Sequence, residues 1–342
     1  MYEIAVIGCG VIGLTSALSI QERLKNVKVT IFTRDKSPNT TGDIAAGYWE
    51  PYMVGDTPPA QITRWGKATY DYILKLWKEG KAKEAGISLI ISRIISDRKD
   101  VENPFWKDVV LGYSNLSREY LDKFGKVGNR KFISGFEFLS FTWEASIFLP
   151  FLEQKFLMNG GVIVRKEIRD FKELEDFDVI VNCTGLDAKD LTGDTKLCPL
   201  RGQIARVSAS WMFYLFLIDS EHDRSCYVIP NIHCVILGGT SQPAYNLEVD
   251  EVDKKNIFRN CSELVPALAT AEVIKHQVGL RPGRERVRLE IEIKPGGKNG
   301  LLRIVHNYGH GGAGITLSIG CAEDCAKLVE RALNQTNLRN KL

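Results

Sequence analysis

Apolar and polar positions along this chain switch between two periods. Residues 4–7 form a short β-branched run, and residues 14–24 carry Leu14, Ala17, Leu18 and Leu24 on one side of a helical repeat. Residues 27–32 are again a continuous apolar run. The pattern predicts strand, amphipathic helix, strand, with Gly8-Cys9-Gly10-Val11-Ile12-Gly13 at the first junction. Strand-like runs recur at 161–164 and 178–181, and the second ends in Asn182-Cys183-Thr184-Gly185. A turn of small and polar residues at a strand's C-terminal end is where ligands sit in open α/β sheets. Residues 204–207, 227–229 and 234–237 predict successive strands of a second unit. A last helix is predicted at about 321–333, after the glycine-rich stretch 309–314. No apolar run approaches the roughly 18–20 residues that a membrane span requires.

Composition adds a few exclusions. A chain of 342 residues suits one large or two medium domains, and 44% apolar with 25% charged residues is ordinary for a globular enzyme. The net charge of +3 is spread over both signs, so no nucleic-acid footprint is visible. The basic stretches at 78–83 and 284–288 read as solvated surface. Eight cysteines lie between Cys9 and Cys325 with no C-x-x-C pair, and the first residues lack a secretory-signal layout. Buried reduced thiols are therefore expected. Cys321 and Cys325, at i, i+4 without a histidine pair, read as core, and no metal site is expected.

Each glycine of the first turn has a physical task. Gly8 makes the tight turn, Gly10 lets the backbone approach a pyrophosphate, and Gly13 lets helix and strand pack closely. With Val11 and Ile12 they open a helix whose N-terminus offers free N–H groups to phosphate. The acidic residue expected about 20 residues further on, to hold the adenosine ribose, is best matched by Asp35, next to Arg34. The motif alone does not separate FAD from NAD, and a nicotinamide-dependent dehydrogenase would carry the same glycines.

The block Thr40-Thr41-Gly42-Asp43-Ile44-Ala45-Ala46-Gly47-Tyr48-Trp49-Glu50-Pro51-Tyr52 closely resembles one in the D-amino-acid oxidase and D-aspartate oxidase family. Further blocks follow in the same order along the whole chain. Among them are Pro199-Leu200-Arg201-Gly202-Gln203, Tyr227-Val228-Ile229-Pro230, Val278-Gly279-Leu280-Arg281-Pro282 and His306-Asn307-Tyr308-Gly309-His310-Gly311-Gly312. The resemblance implies FAD as cofactor and a mixed α/β fold. It implies a discontinuous Rossmann-like FAD domain (1–50, 145–195 and 280–342) and a substrate domain with a large mixed sheet (51–144 and 196–279). It further implies that Thr40, Thr41, Ala46, Gly47, Ile168, Cys183, Gly311, Gly312, Gly314, Ile315 and Thr316 contribute to the cofactor site.

The implied reaction is oxidative deamination of a D-amino acid by O2, giving a 2-oxo acid, ammonia and hydrogen peroxide, with hydride passing from the α-carbon to flavin N5. Arg281 matches the family's grip on the substrate α-carboxylate, for which a guanidinium offers two parallel hydrogen bonds. Arg284, Arg286 and Arg288 read as surface arginines. Tyr227 matches a tyrosine on the same carboxylate, although a core tyrosine would look the same in sequence. Gly312 matches a backbone carbonyl that accepts from the substrate amine, and Tyr52 a pocket tyrosine. The resemblance implies a lid loop between Trp211 and Cys226, with Tyr214 early in it and His222, Asp223 and Arg224 at its tip. His306 and His310 read as structural residues of a glycine-rich loop.

Ser241 follows Gly238-Gly239-Thr240 where oxidases of acidic D-amino acids place a cation, so a general D-amino-acid oxidase is expected. Gly193-Asp194-x-Lys196 and Val278-Gly279-Leu280-Arg281 resemble the D-aspartate branch, and Arg224 is a pocket candidate that would supply that charge. A D-aspartate oxidase is therefore the alternative reading, and a catalytically inactive FAD-binding protein a remoter one. Asn340-Lys341-Leu342 is similar to the S-K-L peroxisomal address. The expected location is the peroxisome, with the cytosol as alternative. Expected partners are the amino acid, O2, an import receptor and a second copy of the chain, with no nucleic acid or membrane.

Overall fold

Alternate residues of β1 (Tyr2–Cys9) are buried on both sides, Ile4 and Val6 in one cluster and Ala5 and Ile7 in another. A strand with both faces covered belongs in the middle of a sheet. In the computed structural model, which describes residues 1–98, 101–127, 130–220 and 226–339, that is where it lies. The lid tip with His222, Asp223 and Arg224, and the tail Asn340-Lys341-Leu342, lie outside the described residues.

Along the chain, β1 leads through α1 (Val11–Arg23) to β2 (Val27–Lys36), then α2 (Thr41–Ile44), α3 (Pro59–Lys78) and α4 (Ala82–Ala85). There follow β3 (Ile87–Ser96), β4 (Leu111–Asn115), α5 (Arg118–Phe124), the small hairpin β5 (Lys126–Val127) and β6 (Arg130–Lys131), and β7 (Ser134–Trp143). Next are α6 (Ala145–Met158), β8 (Val162–Arg165), β9 (Val179–Asn182), α7 (Ala188–Thr192), β10 (Cys198–Ser208) and β11 (Tyr214–Asp219). The last part holds β12 (Cys226–Pro230), β13 (Val235–Gly238), α8 (Glu251–Leu264), β14 (Glu272–Gly283), β15 (Arg288–Pro295), β16 (Leu301–Tyr308) and α9 (Gly314–Arg339).

Among the described residues two large sheets form beside the β5-β6 hairpin, which is the mixed α/β class expected from the sequence. The six-stranded one runs β15-β16-β9-β1-β2-β8, parallel except where β15 meets β16. The eight-stranded one runs β14-β10-β13-β12-β11-β3-β7-β4, antiparallel except for β11 beside β3. α1 packs between α9 and α6 on one face of the first sheet. α3 packs on α9. It buries the stripe Ile62, Trp65, Thr69, Tyr70, Ile73 and Leu76. The two helices approach closely because a Cβ at Gly320 would stand 2.3 Å from Trp65 Cα.

The second sheet also has two buried faces. Val207, Val228, Val235 and Leu237 face α8 with Ile257, Cys261 and Leu264. Ile204, Leu215, Ile229 and Ile236 face the other way, together with the half-buried Leu217 and Tyr227. The strict alternation of a strand then places Asp219 and Gly238 on the same side as Tyr227. That side bounds the cavity described below.

Several expectations are corrected. The region 211–226 does not begin as a lid: Tyr214 starts β11, with the Arg93 guanidinium 4.6 Å from its ring centroid. His306 lies in β16 rather than in a loop. Cys198 is exposed, unlike the other seven cysteines, and all eight are free. Arg284 and Arg288 are only 15% and 17% exposed; Arg284 pairs with the buried Asp194, and Arg288 with the exposed Glu290. α9 begins at Gly314 and reaches Arg339. No helix among the described residues is long and apolar enough to cross a membrane.

Candidate active site

A single cavity of about 1380 Å³ extends from the turn after β1 to the ends of β10, β12 and β14. It exceeds the roughly 300–1,000 Å³ of a site for one drug-sized ligand, as a dinucleotide beside a small substrate requires.

At its first end the glycines divide their work as their spacing predicts. Gly8 has φ +105, and a Cβ there would stand 2.6 Å from Cys183 O. A Cβ at Gly13 would stand 1.9 Å from Gly8 O, so the helix start rests directly on the turn. At Gly10 nothing lies within 4 Å of that position, which opens into the cavity. Gly10 caps α1 without a side-chain bond, and no acidic residue stands in the first turn. The opening N–H groups and the positive end of the helix dipole are thus left for an anion.

The block after β2 holds itself in place. Thr40 N–H and Oγ1 donate to Asp43 Oδ2 at 2.9 and 2.7 Å, and Ser37 Oγ donates to Asp43 Oδ1 at 2.7 Å. This capping box fixes α2, while Arg206 Nη2 donates to Asp43 O at 2.9 Å and ties α2 to the second sheet. Asp35 lines the cavity and accepts from Arg34 Nε at 2.6 Å, and Arg34 also meets Asp187 at 3.1 Å.

Of the residues expected to hold the cofactor, Gly8, Gly10, Val11, Ile12, Asp35, Thr40, Thr41, Ala46, Gly47, Ile168, Cys183, Gly311, Gly312, Gly314 and Ile315 line the cavity. Gly13 lies beneath the turn. Thr316 is not a lining residue: its hydroxyl donates to Glu50 O at 3.0 Å. Two buried polar atoms without partners among the described residues, His310 Nε2 and Asn307 Oδ1, belong to cavity-lining side chains. Open glycine backbone, a free helix N-terminus and unpaired polar atoms fit a dinucleotide such as FAD. Burial pushes His310 down to about 3, so this ring is neutral.

At the other end Arg281 and Tyr227 come together, although their strands are not neighbours. Gly202 on β10 has no side chain to cover, and the Arg281 guanidinium occupies that space: a Cβ there would stand 2.4 Å from both Nη atoms. Arg281 Nη1 donates to Thr240 O at 3.1 Å. Tyr227 lies opposite Gly238 and its ring covers that glycine in the same way, 2.1 Å from a would-be Cβ. Burial raises the Tyr227 hydroxyl above its ordinary value, although the Arg281 charge pulls it down, so the phenol is protonated. Tyr52 stands with its ring centroid 6.0 Å from the Arg281 guanidinium and packs against Gly312. Gly311 N–H donates to Pro282 O at 2.9 Å, which ties the glycine loop to the strand of Arg281. This is a protonated hydroxyl and a cation converging on one wall, an arrangement for a carboxylate.

Sequence reasoning missed Glu50 and Asp219, which line the cavity, and the covering role of Gly202 and Gly238. The one signal for Glu50 was a carboxylate between a tryptophan and a proline in an otherwise apolar stretch. Gly193-Asp194-x-Lys196 builds structure rather than pocket: Asp194 accepts from Arg284 Nε and Tyr308 OH, both at 2.9 Å, and Lys196 pairs with Glu285 at 2.9 Å.

The model of the DAO family, FAD dependent oxidoreductases, matches residues 3–328. The chain belongs to this family. It is 35% identical to a D-aspartate oxidase of Homo sapiens over 97% of this chain and 96% of that one. It is 36% identical to a D-amino acid oxidase of Dugesia ryukyuensis over 98% of this chain and all of that one. Among solved structures, glycine oxidase from Bacillus cereus superposes with a TM-score of 0.76 at 19% identity, covering 97% and 95% of the two chains. That likeness shows the fold, and the family model gives FAD as the cofactor.

Proposed function

We propose that this protein oxidises D-amino acids, with O2 as final acceptor, to 2-oxo acids, ammonia and hydrogen peroxide. The observation that carries the reading is Arg281 laid over Gly202 beside a protonated Tyr227, in the cavity that begins at the dinucleotide turn. Two parallel N–H donors from Arg281 and one O–H from Tyr227 would hold a substrate carboxylate in one plane. The backbone of Gly312, which packs against Tyr52, would take the amino group. Bound FAD would supply the two-electron acceptor that no side chain provides.

Ser241 supports a general rather than an acid-specific oxidase. Its hydroxyl faces Met53 Sδ at 3.4 Å and brings no charge. The alternative, a D-aspartate oxidase, has support in the human relative. Peroxide release from the FAD-loaded protein with paired D- and L-amino acids tests the reading. Turnover of neutral D-isomers supports it, turnover confined to D-aspartate and D-glutamate moves the protein to the alternative, and none with any D-isomer overturns both. A peroxisomal location is proposed on the tail sequence alone, and loss of import on changing Leu342 would test it.

A further inference from the structure

One acidic group in the cavity is left unused by this reaction. Glu50 lines the cavity, and its backbone is fixed on both sides by Thr316 Oγ1, at 3.3 Å to N and 3.0 Å to O. Its carboxylate has no hydrogen bond or ion pair among the described residues. Burial, and then the charge of Asp219, push this carboxyl up to about 7. The side chain is half-buried and opens into the cavity; once a substrate displaces water there, a carboxylate without a partner becomes costly, and a cation delivered to it would relieve that cost.

The sheet register indicates where the group stands relative to substrate. Leu217 pairs with Tyr227 across the ladder, and Asp219 is two residues further along the same face. Glu50 is two residues before Tyr52, the ring that faces Arg281. An amino acid whose carboxylate rests on Arg281 and Tyr227 would run its side chain past Leu217 toward Glu50 and Asp219. The other charges on the wall are accounted for. Asp219 pairs with Arg98 at 3.4 Å and Asp253 with Arg201 at 3.0 Å, while Arg34, Asp35, Lys166, Glu167 and Asp187 belong to the dinucleotide end. Among the described residues, Arg281 is thus the cation of the substrate end, and Glu50 the acid still lacking a counter-charge.

We propose that the preferred substrates are D-amino acids whose side chain ends in a guanidinium or ammonium group, with Glu50 receiving that cation. The methylene stem of such a side chain lies along Leu217, as long basic side chains do on apolar surface. An acidic side chain meets like charge at the same place and is disfavoured. The inference rests on the D-amino-acid oxidase reading above.

The test compares kcat/KM for D-arginine and D-citrulline, which have the same length but differ in charge, using the FAD-loaded full chain and its Glu50→Gln variant. D-arginine should lead by about 10- to 100-fold in the wild type, the effect of one charged partner, and the ratio should fall to about 1 in the variant. A wild-type ratio at or below 1, or a ratio that Glu50→Gln leaves unmoved, overturns the proposal. Should the variant fail to fold, competition by 5-guanidinopentanoate against 5-ureidopentanoate in the wild type decides: tighter binding of the guanidino compound supports it, and equal or weaker binding overturns it. Turnover of D-alanine with no arginine preference would sink this inference alone. Inertness toward every D-amino acid would sink the oxidase reading instead.

Discussion

Gly202→Ala is the sharpest probe of the carboxylate grip. The added methyl would stand 2.4 Å from both Arg281 Nη atoms and 2.5 Å from Cζ. That is about 1 Å inside the roughly 3.5 Å at which such atoms come to rest. The obstructed atoms are the end of a flexible side chain, so the backbone of β10 can stay while the guanidinium moves. It would then leave its 3.1 Å bond to Thr240 O and shift by about 1 Å. A displacement of that size costs about 10²-fold in rate, or about 2.7 kcal/mol of transition-state stabilisation. Arg281→Ala, which removes the charge altogether, should cost about 3–5 kcal/mol, roughly 200- to 5,000-fold. Steady-state peroxide release gives kcat/KM, and the flavin absorbance of the purified protein reports whether FAD is retained. The expected outcome is a variant with wild-type flavin content and a kcat/KM between those of wild type and Arg281→Ala. A Gly202→Ala protein within about threefold of wild type would refute the placement of Arg281. Loss of flavin with activity would show that the residue acts through the fold.

Three further outcomes are expected. Gly13→Ala drives a methyl to 1.9 Å from Gly8 O and should abolish FAD retention, read as absence of flavin absorbance, whereas Gly10→Ala meets open space and should fold normally. Asp194→Ala strands the Arg284 guanidinium and should destabilise the protein by about 2–4 kcal/mol in urea titration, while Lys196→Ala, which breaks an exposed pair, should change it by less than about 0.5 kcal/mol. Burial holds His306 down to about 4 against the pull of Glu292, and His310 to about 3, from an ordinary 6.5. Both are neutral in the folded protein, so the stability they contribute is fully present above about pH 6.5 and is lost as pH falls toward the folded values. Each steepens that loss by up to about 1.4 kcal/mol per pH unit. His310→Gln should flatten the urea-derived stability profile between about pH 6 and pH 4 by that amount, and an unchanged slope would refute the neutral assignment.

Much of the architecture was legible in the sequence because it is written in short-range terms. The β-branched run at 4–7, the glycines of residues 8–13 and the apolar face from Leu14 define β1, its turn and α1 through local periodicity and backbone freedom. The capping box from Thr40 to Asp43 is equally local, although it was recognised only in the structure. The boundaries that moved are those where tertiary packing extends an element, as in α9, or makes a strand of the first part of an expected lid, as in β11.

What the sequence alone determined, then, is which residues alternate, which turns are tight and which side chains have the chemistry to grip a carboxylate. Only the tertiary structure decided which of them meet. Strand alternation says that Tyr227 and Val228 face opposite ways, but not which way. That depends on the pairing of β12 with β11 and β13, which puts Tyr227 over Gly238 and Leu217 and Asp219 on its side. The Arg281 and Gly202 contact joins β14 to β10, and the influence of Asp219 on Glu50 joins the end of β11 to the segment before α3. Arg284 and Asp194 are 90 positions apart in the chain and make a mostly buried ion pair. Contacts of that kind leave no periodic trace. They arise from the register between segments brought together by burial, a long-range choice that no local pattern encodes.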